Sequence, residues 1–275
     1  MIRRAEPSAV LSPRPLPGVE TTPWPAPSRG NVLALLPAHN EAQTVRSVLD
    51  EVLRHVDRAL VVDDGSEDST GREAAGDPRV EVLRIPRSGK GGALRAGFLR
   101  AVEQGFAWVL TLDSDGQHDP GEIPRFLLAA RGGAPPLVVG SRRGDLAAMP
   151  WLRRATNVFM SWLVSRLAAQ SIPDSQNGFR LISSEVLRAV PLSTSHFETE
   201  SELLLGAARN GFRIDSVPVS TIYRKGGRSH IRKVPDTWRF LKLCVRRPWL
   251  SAGIEALGSP ASSPAGASSR GDPPP

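Results

Sequence analysis

Asp113 and Asp115 are one residue apart in the stretch Asp113-Ser114-Asp115-Gly116-Gln117-His118. Two carboxylates this close repel each other, and a divalent cation between them removes the repulsion. Hard oxygen donors suit Mg²⁺ or Mn²⁺, ions that readily hold a diphosphate. The alternative is an Asp-rich turn that only ends a strand. The preceding run Trp108-Val109-Leu110-Thr111-Leu112 is apolar and short, the pattern of a buried parallel strand. The two carboxylates therefore fall at a strand's C-terminal end, where open α/β sheets keep their ligands.

Other segments repeat this arrangement. Asn31 to Leu36 is apolar and ends in Pro37-Ala38-His39-Asn40-Glu41. A helical period follows from about Glu41 to Val56, with Val45, Val48, Leu49, Val52 and Leu53 on one face. Ala59 to Val62 leads into Asp63-Asp64-Gly65-Ser66, with Ser69 or Thr70 placed to cap a helix. Val80 to Ile85 precedes Arg87-Ser88-Gly89-Lys90-Gly91-Gly92 and a helix through Leu94, Phe98, Leu99 and Val102. Strands alternating with helices predict βαβ units and a mostly parallel sheet. Each strand then delivers polar residues to the same edge.

Six motifs in this order resemble family 2 glycosyltransferases. They are Pro37-Ala38-His39-Asn40-Glu41, Val62-Asp63-Asp64-Gly65-Ser66, Gly89-Lys90-Gly91, Asp113-Ser114-Asp115-Gly116-Gln117-His118, Gly140-Ser141-Arg142-Arg143 and Asp174-x-x-x-Gly178-Phe179-Arg180. The last two narrow the resemblance to the polyprenyl-phosphate (dolichol-phosphate) mannosyltransferase branch. It spans roughly Asn31 to Lys233. It implies a GT-A fold, an α/β architecture with helices flanking the sheet, in a single domain. It also implies a nucleotide-sugar donor, a divalent metal and inversion at the anomeric carbon. His39 stands where the family usually has Tyr or Phe, Ser114 replaces the commoner Ala, and His230 replaces a usual Lys.

The resemblance assigns roles. Pro37, Asn40, Glu41, Asp63 and Asp64 are expected at the donor, with Glu41 reaching ribose or base and Asp63 or Asp64 accepting from a base N–H. Turn formation is the alternative for the Asp pair. Lys90 fits phosphate neutralisation, although a Gly-Lys-Gly loop is by itself a common flexible turn. It is not a P-loop, since the Gly-Lys-Ser/Thr run is absent. Asp113 and Asp115 are expected to hold the metal, with Gln117 a further ligand and Asp115 part of the catalytic group. Arg142, Arg180, Arg224 and Arg228 are candidates to grip phosphate, with planar forks suited to it. Each could equally form a salt bridge or pack its stem on apolar surface. Glu200 could be a general base, a sugar contact or a charge favoured by a helix N-terminus.

A lipid phosphate needs no base, because a monoester's second pKa is about 6. The expected reaction therefore moves a hexose from a nucleotide sugar, GDP-mannose first and UDP-glucose second, to a polyprenyl phosphate. Transfer to a sugar hydroxyl, or a non-catalytic basic module binding membrane or nucleic acid, are the alternatives.

At 275 residues the chain can bury one sizeable core. Residues 1–29 are Pro-rich and residues 251–275 rich in Ser, Pro, Gly and Ala, so both read as disordered tails around a catalytic domain at 30–222 and a basic amphipathic segment at 223–250. No signal peptide or spanning run is visible, and the single Cys244 fits a reducing cytoplasm. The net charge of +7 favours an anionic partner. Arg and Lys alternate with Trp238, Phe240, Leu241, Leu243, Val245, Trp249 and Leu250, and Trp151 to Ile172 mixes Trp and Arg similarly. Membrane surface is the first partner this suggests, an ordinary solvated helix the second; nucleic acid is not expected. The location expected is peripheral, at the cytoplasmic face of a membrane.

Overall fold

The computed structural model describes residues 24–131, 135–142, 144, 151–195 and 198–222. Seven strands form one sheet: β1 (Val32–Ala38), β2 (Arg58–Asp64), β3 (Val80–Ile85), β4 (Trp108–Thr111), β5 (Leu137–Ser141), β6 (Arg180–Ser183) and β7 (Ile214–Pro218). Their order is β3-β2-β1-β4-β6-β5-β7. β1 pairs parallel with both β2 and β4, β2 with β3, and β5 with β7. β6 runs antiparallel to both neighbours, β4 and β5. The sheet is thus mostly parallel and α/β, as the alternating pattern implies, with one reversed strand that four residues of sequence do not announce.

The apolar strands are buried on both faces, so alternate residues feed two cores. Leu33, Leu35, Leu60, Val62 and Val109 face α3 (Lys90–Glu103), α5 (Trp151–Ala168), α6 (Ser184–Ala189) and α7 (Glu198–Arg209). Val32, Ala34, Leu36, Val61 and Leu110 face α1 (Val45–Val52), α2 (Thr70–Ala74) and α4 (Ile123–Ala129). α1 buries Val45, Val48, Leu49 and Val52 along one stripe, the face its period predicts.

β1 is the pivot. The chain passes from β1 to β2 and β3 on one side, then returns to place β4 on the other. Loops diverge at such a reversal, and the crevice opens beyond the C-terminal ends of β1 and β4. The Asp113–Asp115 turn follows β4 directly. Residues 24–29, assigned to the tail by composition, run along the domain instead. The buried Trp108 indole donates to Pro25 O at 2.7 Å, Asn31 Nδ2 donates to Ala26 O, and Arg29 pairs with Asp57. A buried indole N–H needs a partner, and this segment supplies it.

Candidate active site

The β1 loop is fastened to its neighbours by side chains. Asn40 has φ 57°, a left-handed geometry that Asn tolerates. Its N–H donates to Ser66 Oγ and its Oδ1 accepts from Glu67 N. Glu41 N donates to Thr70 Oγ1, and the Pro37 carbonyl accepts from Ser114 Oγ. Thr44 Oγ1 reaches both Glu41 Oε2 at 3.0 Å and Ser114 O at 2.8 Å. Thr44 thus ties Glu41 to the Asp113–Asp115 turn, a link whose 70-residue separation hides it in sequence.

Asp63 and Asp64 form the turns beyond β2. Asp63 Oδ1 accepts from Ser66 N, and Oδ2 lies 3.9 Å from Arg84 Nε. Asp64 accepts from Ser88 N, Ser88 Oγ, Gly89 N and Arg87 Nη1. Both carboxylates are buried. Of the two uses open from sequence, loop formation is the one these contacts display. Asp64 fixes the Arg87–Gly89 loop, and Gly89 adopts φ 83°, so the chain turns sharply into α3 with Lys90 as its first residue.

Lys90 Nζ lies 2.6 Å from Asp113 Oδ1 and 3.0 Å from Glu200 Oε1. His118 Nε2 donates to the other Asp113 oxygen at 3.3 Å, and its ring packs on Phe179 at 5.4 Å between centroids. Burial opposes the ionised form of Asp113, but the Lys90 ammonium and His118 outweigh it and hold the carboxyl far below the usual range. Burial likewise opposes the Lys90 charge, and Asp113 and Glu200 outweigh it to raise that ammonium. Asp115 moves the other way: burial and the neighbouring Asp113 charge push its carboxyl up. Asp115 Oδ1 accepts from Gln117 N at 2.9 Å.

This donor set fits a divalent cation. It offers hard oxygens, one of them firmly anionic and the other raised by its neighbour, a repulsion that a cation relieves. Among the described residues no cluster of three metal-ligating side chains occurs. Two carboxylates with a diphosphate completing the shell is a usual arrangement for Mg²⁺. Gln117 sits in the same turn, with its backbone N–H on Asp115 and its carbonyl accepting from Ile222 N.

The two described arginines expected at phosphate are both engaged within the fold. Arg180 is 1% exposed. Its guanidinium donates to the carbonyls of Asn177 at 2.8 Å, Glu200 at 2.7 Å and Ser175 at 2.9 Å. Burial lowers its pKa. It clamps the Asp174–Phe179 loop to the start of α7. Arg142 grips Asp174 bidentately, Nε to Oδ2 at 2.7 Å and Nη2 to Oδ1 at 3.0 Å. Burial opposes the Asp174 charge, and Arg142 outweighs it to lower that carboxyl. The fork that suits phosphate here suits a carboxylate inside the fold. Arg224 and Arg228 lie outside the described residues, as do Arg143 and the Trp238–Trp249 segment.

Two acidic residues of α7, Glu200 and Glu202, differ in fate. Glu202 is fully buried and accepts from Ser193 N and Oγ and Thr194 N and Oγ1, holding the loop before the helix. Glu200 turns to Lys90. Glu122, unremarked in sequence, accepts Ser220 N on both oxygens, while His118 bridges Thr221, so the chain after β7 is hydrogen-bonded to the carboxylate turn.

A paired carboxylate turn at a sheet's reversal point, faced by a lysine at a helix start, defines a nucleotide-sugar-type GT-A fold. A family model described as Glycosyl transferase family 2 matches residues 34–190, and the chain belongs to that family. An undecaprenyl-phosphate mannosyltransferase of Micrococcus luteus is 33% identical over 211 residues, 72% of this chain and 86% of the relative. A UDP-N-acetylglucosamine–dolichyl-phosphate N-acetylglucosaminyltransferase of Methanococcus voltae is 29% identical over 215 residues, 70% and 86% of the two chains. Glucosyl-3-phosphoglycerate synthase from Mycobacterium tuberculosis, crystallised with Mg²⁺ and UDP, superimposes with a TM-score of 0.61 at 22% identity, covering 82% of this chain and 79% of that one. That likeness is one of fold.

Proposed function

We propose that this glycosyltransferase moves a hexose from a nucleotide sugar to a polyprenyl phosphate at a membrane surface, with inversion. Mannose from a GDP donor is the first sugar, and a UDP-linked hexose the second. The observation that carries the reading is the Asp113–Lys90–Glu200 cluster at the sheet's reversal point. The lipid-phosphate acceptors named for the two relatives support the acceptor class.

Asp113 and Asp115, with Gln117 beside them, would hold Mg²⁺ or Mn²⁺. When bound, the ion supplies charge stabilisation to the departing diphosphate. Lys90, fixed beside Asp113, would add positive charge for the same diphosphate. Glu41, held by Thr44 next to the turn, would contact the donor's ribose or base. A phosphate nucleophile arrives ionised, so no side chain must take a proton. Glu200 is engaged by the Lys90 ammonium, which suits an anchoring role. Its place within the charged cluster also suits a second reading, in which Glu200 deprotonates a sugar hydroxyl.

The membrane reading rests on α5. Trp151, Val158, Phe159 and Trp162 are exposed along it, and the helix contains Arg154 and Arg166 but no acidic residue. Large apolar side chains with cations on one helix suit the interface of an anionic bilayer. Among the described residues no helix is long and apolar enough to cross a membrane. Residues 223–250 would add a basic amphipathic segment.

The test is a transfer assay with purified protein, Mg²⁺ or Mn²⁺, labelled GDP-mannose, UDP-glucose and UDP-N-acetylglucosamine, and a short polyprenyl phosphate beside the matching polyprenol. Labelled lipid from the phosphate alone supports the proposal. Efficient labelling of the alcohol, or of neither lipid with any donor, sinks it.

A further inference from the structure

Gly178 is enclosed by the charged cluster. A Cβ built on it would stand 2.9 Å from Lys90 Nζ, 3.1 Å from Asp113 Oδ1 and 3.2 Å from Glu200 Oε1. Its φ is not in the left-handed region, so conformation does not demand glycine here; space does. The backbone cannot retreat easily. Gly178 O accepts from Thr111 Oγ1 at 2.7 Å, and Thr111 pairs with Arg180 in the β4–β6 ladder. Arg180 in turn holds Asn177 O and Glu200 O from below.

We infer that Gly178 is a positioning residue for donor binding: the missing side chain lets one ammonium, that of Lys90, join Asp113 to Glu200. This rests on the reading above, in which Asp113 holds a divalent cation and Lys90 faces the diphosphate. A methyl at position 178 meets the mobile end of a lysine on one side and two carboxylate tips on the others. The side-chain ends yield before the pinned backbone does. The fold survives, the three-way junction opens, and Lys90 loses its fixed place beside the Asp113–Asp115 turn.

The inference is tested by calorimetric titration of Mn²⁺ with GDP, and of Mn²⁺ with UDP, into wild type, Gly178→Ala, Lys90→Ala and the double variant. Melting curves are recorded alongside. Gly178→Ala should weaken the nucleotide that wild type binds by about tenfold, within the coupling range of contacting residues. Its melting temperature should stay within about 4 °C of wild type, a cost near 1 kcal/mol for this size. In the Lys90→Ala background the same glycine change should cost clearly less than in wild type, because the nearest group it meets, Lys90 Nζ, is gone and only the two carboxylate tips remain. Wild-type affinity in Gly178→Ala, or an equal loss in both backgrounds, overturns the inference. If Gly178→Ala shows no melting transition, Lys90→Ala must restore one in the double variant; failure to restore it overturns the inference equally. A wild type that binds neither nucleotide with Mn²⁺ removes the proposed function and this inference with it.

Discussion

The turn after β4 and the loop before β6 carry the same kinds of residue and use them oppositely. At the turn, Asp113 is 30% exposed and Lys90 20%, and their charges meet at the cleft. In the loop, Asp174 and Arg180 are buried, and their partners are Arg142 and backbone carbonyls. One region keeps its charges partly exposed at the crevice; the other uses charge to hold its own chain. Motif membership alone does not distinguish the two, since both match a glycosyltransferase pattern. Burial does.

The comparison breaks first at Asp113. Asp113→Asn should reduce transfer by about a hundredfold to a thousandfold, the loss expected when an electrostatic stabiliser is removed. The protein should still fold, at some cost in melting temperature from the lost Lys90 and His118 pairing, because the residue lies at a loop end. An active Asp113→Asn enzyme contradicts a ligand-facing turn.

Asp174→Asn should act on stability instead. Breaking one partner of a buried pair costs about 3–5 kcal/mol. The folded carboxyl of Asp174 is lowered, so its contribution is present above the unfolded value of about 3.9 and is lost as pH falls through the folded one. Denaturant unfolding of wild type and variant should therefore differ by a constant amount from pH 6 to 8, and the gap should narrow only on strong acidification. A variant as stable as wild type that has lost only activity would place this pair at the substrate.

Smaller effects sharpen the contrast. Replacing Trp151 and Trp162 by Ala should weaken sedimentation with anionic liposomes by about tenfold per Trp, from the apolar burial lost. Binding should also fall with added salt, since each basic side chain contributes about 1 kcal/mol and is screened. Unchanged pelleting removes α5 from the contact. Smallest is Glu200→Gln, which retains an oxygen for Lys90. Turnover on polyprenyl phosphate should drop by less than about tenfold, whereas a true general base is worth about a hundredfold or more.

The ends of β1, β2 and β4 are legible in sequence because a buried strand and its polar terminus are local patterns. The carboxylate turn and Lys90 are legible for the same reason. Arg180 is not. Its guanidinium is enclosed only when β6 inserts antiparallel between β4 and β5 and α7 brings the Glu200 carbonyl over it, contacts that no local window contains. Arg142 escapes for a similar reason: its partner Asp174 lies 32 residues away, in a different motif. The turn contacts of Asp64 become visible only once the Ser88–Gly89 loop is in place. The Pro25 contact is not legible either, because nothing in a proline-rich stretch records that Trp108 needs an acceptor.

The most direct measurement is binding of the nucleoside diphosphate to wild type, by calorimetry with Mn²⁺ and again with excess chelator, repeated on Asp113→Asn and on Arg180→Lys. A ligand-facing turn beside an inward-facing loop predicts binding that chelator or Asp113→Asn abolishes, while folded Arg180→Lys binds nearly as wild type. Equal affinity with and without chelator, or an Arg180→Lys protein that is stably folded yet no longer binds, would contradict it.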